Sequence, residues 1–171
     1  MLTLINTNRM TPLIGPVGLD YVAAAARAAG IETQVLDLAL AGDADEAMRR
    51  HFADAAPRLV GLTFRNVDDC FWPHAQWFVP DLAEDVRRVR ELSDAPIVLG
   101  GVGLSILPEG VVQAVGADFA IRGDGEQAVV RLHAELAGRR RLDRVPGLVW
   151  RSGGRVRSNP PAWPEPLRVP G

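Results

Sequence analysis

The side chains able to do chemistry in this 171-residue chain are few. There are three histidines, His51, His74 and His133, one cysteine, Cys70, and no lysine, so all 19 basic residues are arginine. A P-loop needs a lysine at its phosphates, and a pyridoxal phosphate enzyme needs a Schiff-base lysine, so both are excluded. A lone cysteine supports neither a disulfide framework nor a cysteine metal cluster. His51 and His133 fall within helical patterns and read as half-buried or solvated. His74 lies in a loop, where a single histidine is more often structural than a ligand. Asp68 and Asp69 are neighbours in that loop and do not define an acid–base pair.

Glycine is the more informative residue. "IVLGGVGLSILPEG" (97–110) runs an apolar strand into Gly100 and Gly101. "RGDGE" (122–126) sets Gly123 and Gly125 on either side of Asp124, just before Glu126. Each has a plain reading. Gly100 and Gly101 turn the chain after a strand. Gly123 and Gly125 make a strand-to-helix turn, with the Glu126 carboxylate suited to the first helical turn. Arg65 pairs on the surface with Asp68 or Asp69, and Trp72 and Trp77 pack their own loop. The alternative is a broad ligand approaching a bare backbone.

The elements that would position these residues follow from periodicity. Strands are expected at 2–6, 32–38, 58–64, 96–101 and 117–123. Helices are expected at 17–30, at 44–55 capped by Asp43, and at 79–92, 108–116 and 125–138. A long loop spans 65–77. Alternating strands and helices argue for a parallel sheet covered on both faces. Right-handed crossovers favour a doubly wound, flavodoxin-like five-stranded sheet of order 2-1-3-4-5. "GLVWRSGGRVRSN" (147–159) breaks the pattern as a β-hairpin. The last twelve residues contain five prolines and resemble an extended linker.

Ligands of such sheets bind beyond the carboxyl ends of the strands. The loops after the first, third, fourth and fifth strands are rich in Gly, polar or aromatic residues. The loop after the second is plain. A dinucleotide-binding domain would show G-x-G-x-x-G after its first strand, where residues 6–18 have no such spacing. A two-component receiver domain would need an acidic cluster and a lysine, and both are missing. "NTNRMT" is a poor phosphate loop for a flavodoxin. A net charge of −2 offers nucleic acid nothing. No apolar run approaches the ~20 residues of a membrane span, and no secretory signal is visible. A cytoplasmic location is the expectation.

The combination "VLGGVGLSILPEGVVQAVGADFAIRGDGEQA" resembles the N-terminal cobalamin (vitamin B12)-binding domain of cobalamin-dependent radical SAM enzymes. "PVGLDYVAAAARAAG" and "VPGLVWRSGGRV" are similar to that family's first helix and closing hairpin. Asp124 stands where Glu is commoner. The resemblance spans about residues 1–160. It implies a Rossmann-like fold with 1–145 as the cobalamin-binding domain and 146–159 as the closing hairpin. Residues 160–171 would be a linker towards a radical SAM domain in a longer chain.

By resemblance, cobalamin lies against Leu13, Ile14, Gly15 and Pro16; Thr63, Arg65, Asn66 and Val67; Gly100, Gly101, Val102 and Gly103; and Gly123, Asp124, Gly125 and Glu126. The D-x-H-x-x-G motif that supplies an axial histidine in other cobalamin proteins is absent. Arg65 is expected beneath cobalt without ligating it, giving a base-off cofactor. The C-x-x-x-C-x-x-C motif is also absent. The chain is then either a fragment, which is the expectation, or a stand-alone cobalamin binder. S-adenosylmethionine and an iron–sulfur cluster are expected only in a missing domain, and this chain is expected to bind without catalysing. The full enzyme is expected to be a methyltransferase. A flavodoxin-like regulatory or interaction module without cofactor is the competing reading, and a nucleotide-binding domain is a weaker one.

Overall fold

The computed structural model describes residues 1–161. The linker expected at 160–171 lies beyond them from residue 162 onward.

The parallel strands are β1 (Leu2–Asn6), β2 (Thr33–Asp37), β3 (Leu59–Thr63), β4 (Ile97–Gly100) and β5 (Phe119–Ile121). They stand in the order β2-β1-β3-β4-β5, the order that right-handed crossovers favour. In register, Leu2 faces Thr33 on one side and Leu59 on the other. β1 is an inner strand, and all five of its residues are buried. A strand covered on both faces must be apolar nearly throughout, which "LTLI" satisfies.

Two layers of helices supply the cover. α1 (Val17–Ala28) and α6 (Glu126–Ala137) lie on one face. There Leu19, Ala23 and Ala26 meet Leu2, Leu4, Ala128, Val129 and Leu132. α2 (Ala44–Asp54), α3 (Val79–Leu92) and α5 (Pro108–Val115) cover the other. Met48, Phe52, Leu82, Val86, Val89, Val111 and Val112 fill that side. The start and stop signals act as read. The Asp43 side chain accepts from Glu46 N at 3.0 Å at the head of α2. Pro108 opens α5, and Gly116 ends it with a left-handed φ of 73°.

Two features go beyond the expectation. A five-residue helix, α4 (Val102–Ile106), occupies a stretch expected as irregular. Gly101, at φ 113°, makes the turn into it, and Leu104 anchors it in the core with no exposure. The hairpin does not stand apart from the sheet. Its strands β6 (Leu148–Ser152) and β7 (Arg155–Ser158) extend it to seven strands. β6 runs antiparallel to β5, with Phe119 opposite Trp150. Asn159 locks the hairpin's exit, its side-chain amide donating to the carbonyls of Leu142 (2.7 Å) and Val145 (2.8 Å).

Candidate functional site

The carboxyl ends of β1, β3, β4 and β5 open on one edge, and each is built differently. At β1 the key residue is Asn6, 2% exposed. Its amide donates to Asp37 Oδ1 at 2.8 Å. Its Oδ1 accepts from Asn8 N at 3.2 Å and from Thr63 Oγ1 at 3.3 Å. Thr7 N donates to Thr63 Oγ1, and Thr7 Oγ1 donates to the Thr63 carbonyl. A buried amide must have its partners. Here satisfying it also ties the loop after β1 to the ends of β2 and β3.

The exits of β3 and β4 are stitched together through backbone. Phe64 N donates to the Gly100 carbonyl, Gly103 N to that of Arg65, and Leu104 N to that of Phe64. Close approach of this kind needs missing side chains. A Cβ on Gly101 would lie 2.6 Å from Phe64 O, and one on Gly103 2.9 Å from the Arg65 carbonyl. Gly100 differs: a Cβ there would meet nothing within 4 Å. Packing therefore explains Gly101 and Gly103, but not Gly100. The Arg65 backbone is fixed by this stitching while its side chain is exposed.

The loop after β5 joins the same structure. Gly123, at φ 90°, donates its N–H to Ser105 Oγ at 3.2 Å, and Ser105 Oγ donates to the Gly101 carbonyl. Asp124 is exposed, and Gly125 and Glu126 begin α6 without a side-chain cap. Around these glycines lies an apolar fringe open to solvent. Leu13 (56%), Ile14 (44%), Val17 (63%), Val102 (76%), Ile106 (66%) and Leu107 (55%) are exposed large hydrophobics on the loops after β1 and β4 and the helices that follow. Their gathering at one edge marks a surface suited to a large, partly apolar ligand.

The loop after β3 is a tied projection. Asp69 Oδ1 accepts from the N–H groups of Phe71 and Gln76, both at 3.0 Å. These bonds hold its carboxyl below the usual carboxylate range. Asp68 bridges to Trp77 across the loop, and Phe78 N donates to the Val67 carbonyl. Asp68 and Asp69 are thus occupied with shaping the loop. No ion pair joins either to Arg65 among the described residues. Phe71, Trp72 and Trp77 are exposed rather than packed inward.

Beneath this loop is a cavity of about 370 Å³ between the loops after β1 and β3 and the start of α3. Arg65, Asn66, Asp69, Gln76, Arg9 and Asp85 are among its walls. Asp85 is 1% exposed and accepts a forked contact from Arg9, with Nη2 to Oδ2 at 3.0 Å. Burial pushes the Asp85 carboxyl up, and the Arg9 guanidinium opposes that shift.

The structure sorts the histidines. His51 pairs with Thr3 Oγ1 at 3.0 Å, and His133 lies near Met1 and Arg58. Both are therefore at the opposite, amino end of the strands. His74 is exposed on the projecting loop. Among the described residues no three His, Cys, Asp or Glu side chains gather as a metal site, and no helix is long and apolar enough to cross a membrane.

The sixteen residues expected to hold a ligand all sit on the four loops of this edge or on the strand and helix ends beside them. Sequence reasoning missed Asn6, Ser105, Arg9 and Asp85. Asn6 carried a signal, a polar residue ending a wholly apolar strand. The others join positions far apart in the chain and left none.

Comparison with known proteins bears on this edge. The B12 binding domain family matches residues 5–133. A tryptophan 2-C-methyltransferase of Streptomyces laurentii is 38% identical over 164 residues, covering 93% of this chain and 27% of that protein. The radical S-adenosylmethionine methyltransferase TsrM of Kitasatospora setae has been solved with cobalamin and a [4Fe-4S] cluster bound. It superposes with a TM-score of 0.89 at 32% identity, over 95% of this chain and 29% of that one. The cobalamin-dependent S-adenosylmethionine radical enzyme OxsB shares the fold, with a TM-score of 0.72 at 19% identity. The chain thus spans less than a third of the length of these relatives.

Proposed function

The chain belongs to the B12 binding domain family, and from that premise we propose that its carboxyl edge holds cobalamin with no protein side chain bound to cobalt. The observation that carries the reading is the contrast at Gly100. Its missing side chain is not required by packing, yet it lies beside an exposed apolar fringe that a large ligand would cover. The residues present fit the cofactor. Leu13–Pro16, Gly100–Gly103 and Gly123–Glu126 would lie along it, and Thr63, Arg65, Asn66 and Val67 would face its lower side.

The base-off part rests on donor chemistry. A guanidinium stays protonated and offers no lone pair, so Arg65 can stand beneath a metal without ligating it. Two of the three histidines lie at the far end of the sheet. When bound, cobalamin would supply a cobalt centre able to accept a methyl group and pass it on. The chain's own residues orient the cofactor and cover one side of it.

In the whole protein we propose a cytoplasmic radical SAM methyltransferase. Its S-adenosylmethionine and iron–sulfur cluster would be held outside these 171 residues, as the names and lengths of the relatives support. Titrating the purified chain with hydroxocobalamin, followed by gel filtration, tests the reading. Co-elution with a base-off visible spectrum is the expected result. Co-elution with a histidine-on spectrum would overturn the axial assignment, and no retention would overturn the cofactor assignment.

A further inference from the structure

Asp85 is out of place by composition. It lies on the face of α3 that otherwise buries Leu82, Val86 and Val89, and it is as buried as they are. Its partner comes from 76 residues away. Arg9 Nη1 donates to Oδ1 at 3.3 Å, and Nη2 donates to Oδ1 at 3.3 Å and to Oδ2 at 3.0 Å. Arg88 approaches from the same helix at 3.6 Å. Stability does not account for such a pair, because well-packed apolar residues usually serve as well or better. A planar guanidinium held in a fork does fix position.

The position fixed is that of one short segment. Thr7 and Asn8 are pinned at one end by Thr63 and Asn6. Arg9 is pinned at the other by α3. Between the Arg9 fork and the apolar rim at Leu13–Pro16 lies Met10, whose Sδ accepts from Asn66 Nδ2 at 3.2 Å. Asn66 is the neighbour of Arg65, and Arg9, Met10, Arg65, Asn66 and Asp85 share the walls of the 370 Å³ cavity, with the Leu13–Pro16 rim outside it.

We infer that the Arg9–Asp85 pair is a latch: it holds the loop after β1 against α3 and so sets Met10, Asn66 and the Leu13–Pro16 rim where the cofactor needs them. The inference rests on the cobalamin reading. Arg9 and Asp85 are positioning residues, acting through the loop rather than by touching the ligand.

Three variants test it: Asp85→Asn, Arg9→Met, and the double change Arg9→Met with Asp85→Leu, which restores an apolar interior. The first readout needs no ligand. Amide hydrogen exchange at Thr7 and Asn8, whose N–H groups are bonded to Thr63 Oγ1 and Asn6 Oδ1, should quicken about tenfold or more in all three, with the protection of β3 and β4 unchanged in the double variant. The second readout is hydroxocobalamin affinity, which should fall about tenfold even where the double variant melts like the parent, because preorganisation is lost. Unchanged exchange overturns the latch. Faster exchange with parental affinity overturns its role towards the cofactor. A parent chain that takes up no cobalamin overturns the cofactor reading instead, and the exchange arm alone then decides whether the pair holds the loop.

Discussion

The side chain that Gly101 lacks would strike the carbonyl oxygen of Phe64 at 2.6 Å, while that of Gly100, one residue earlier, would meet nothing. Two adjacent glycines therefore answer to different demands. Gly101 lets the β4 exit close on the β3 exit, at a φ of 113° that other residues rarely adopt. Gly101→Ala should cost about 1–3 kcal/mol of stability. Gly100→Ala should leave the melting temperature within about 2 °C of the parent and weaken hydroxocobalamin binding. Thermal melts beside ligand titrations check both, and a large loss of stability at Gly100→Ala would count against a ligand role for that glycine.

Arg65→His places a neutral imidazole where the guanidinium stood. With hydroxocobalamin bound, the visible spectrum should move towards a six-coordinate, histidine-on form. An unaltered spectrum would remove Arg65 from beneath cobalt.

Asn6 joins three strand ends through one amide. Asn6→Leu would leave the Asn8 N–H and the Thr63 hydroxyl without their acceptor and take one of two donors from Asp37 Oδ1, at a cost of about 2–4 kcal/mol. Urea unfolding with an unchanged m-value would register this as a stability loss rather than a change of unfolded state.

Cys70 is exposed yet ill-suited to react. Its thiol lies 3.1 Å from Asp68 Oδ1, and hydrogen bonding to that carboxylate, with its charge, raises the thiol above its ordinary value. Asp68→Asn keeps an acceptor for Cys70 N and removes the charge. Alkylation by iodoacetamide at pH 8 should then speed up by about threefold or more. Equal rates would dismiss the Asp68 influence.

Acid should spare the projecting loop longer than an ordinary carboxylate would allow. Two backbone N–H groups, from Phe71 and Gln76, donate to the charged form of Asp69 and hold its carboxyl below its ordinary value. A depressed carboxylate contributes stability above its unfolded value and loses it as pH falls through the folded value. The Phe71 and Gln76 amide resonances should therefore begin to move at a lower pH than amides bonded to an ordinary aspartate carboxyl. Asp69→Asn should abolish that movement.

The strands and their order were legible because a parallel sheet covered on both faces demands apolar runs between glycine and proline punctuation. "LTLIN" and "RLVGLTF" meet that demand without ambiguity. The four loops were legible as a group because their composition departs together from that of the plain loop after β2. α4 was not, since five residues carry no periodicity and its anchor, Leu104, is one side chain. Nor was the Arg9–Asp85 contact: a buried ion pair across 76 residues leaves no local pattern. Sequence treated Gly100 and Gly101 alike, and only the position of Phe64 separates them. The hairpin was legible from Gly153 and Gly154, but its pairing with β5 depends on where Trp150 and Leu148 find cover.

Among the described residues β7 is the last strand on one side of the sheet, and its Arg155 and Arg157 are exposed. An unpaired strand edge invites a strand from another molecule. Two copies of this chain meeting edge to edge would bring like guanidiniums together along the new ladder. Had the sheet stopped at β5, the open ladder would have been Phe119, Ala120 and Ile121, all buried here. By adding two antiparallel strands, the hairpin covers the β5 ladder and sets a charged strand at the border of the described sheet, where a second copy would meet like charge.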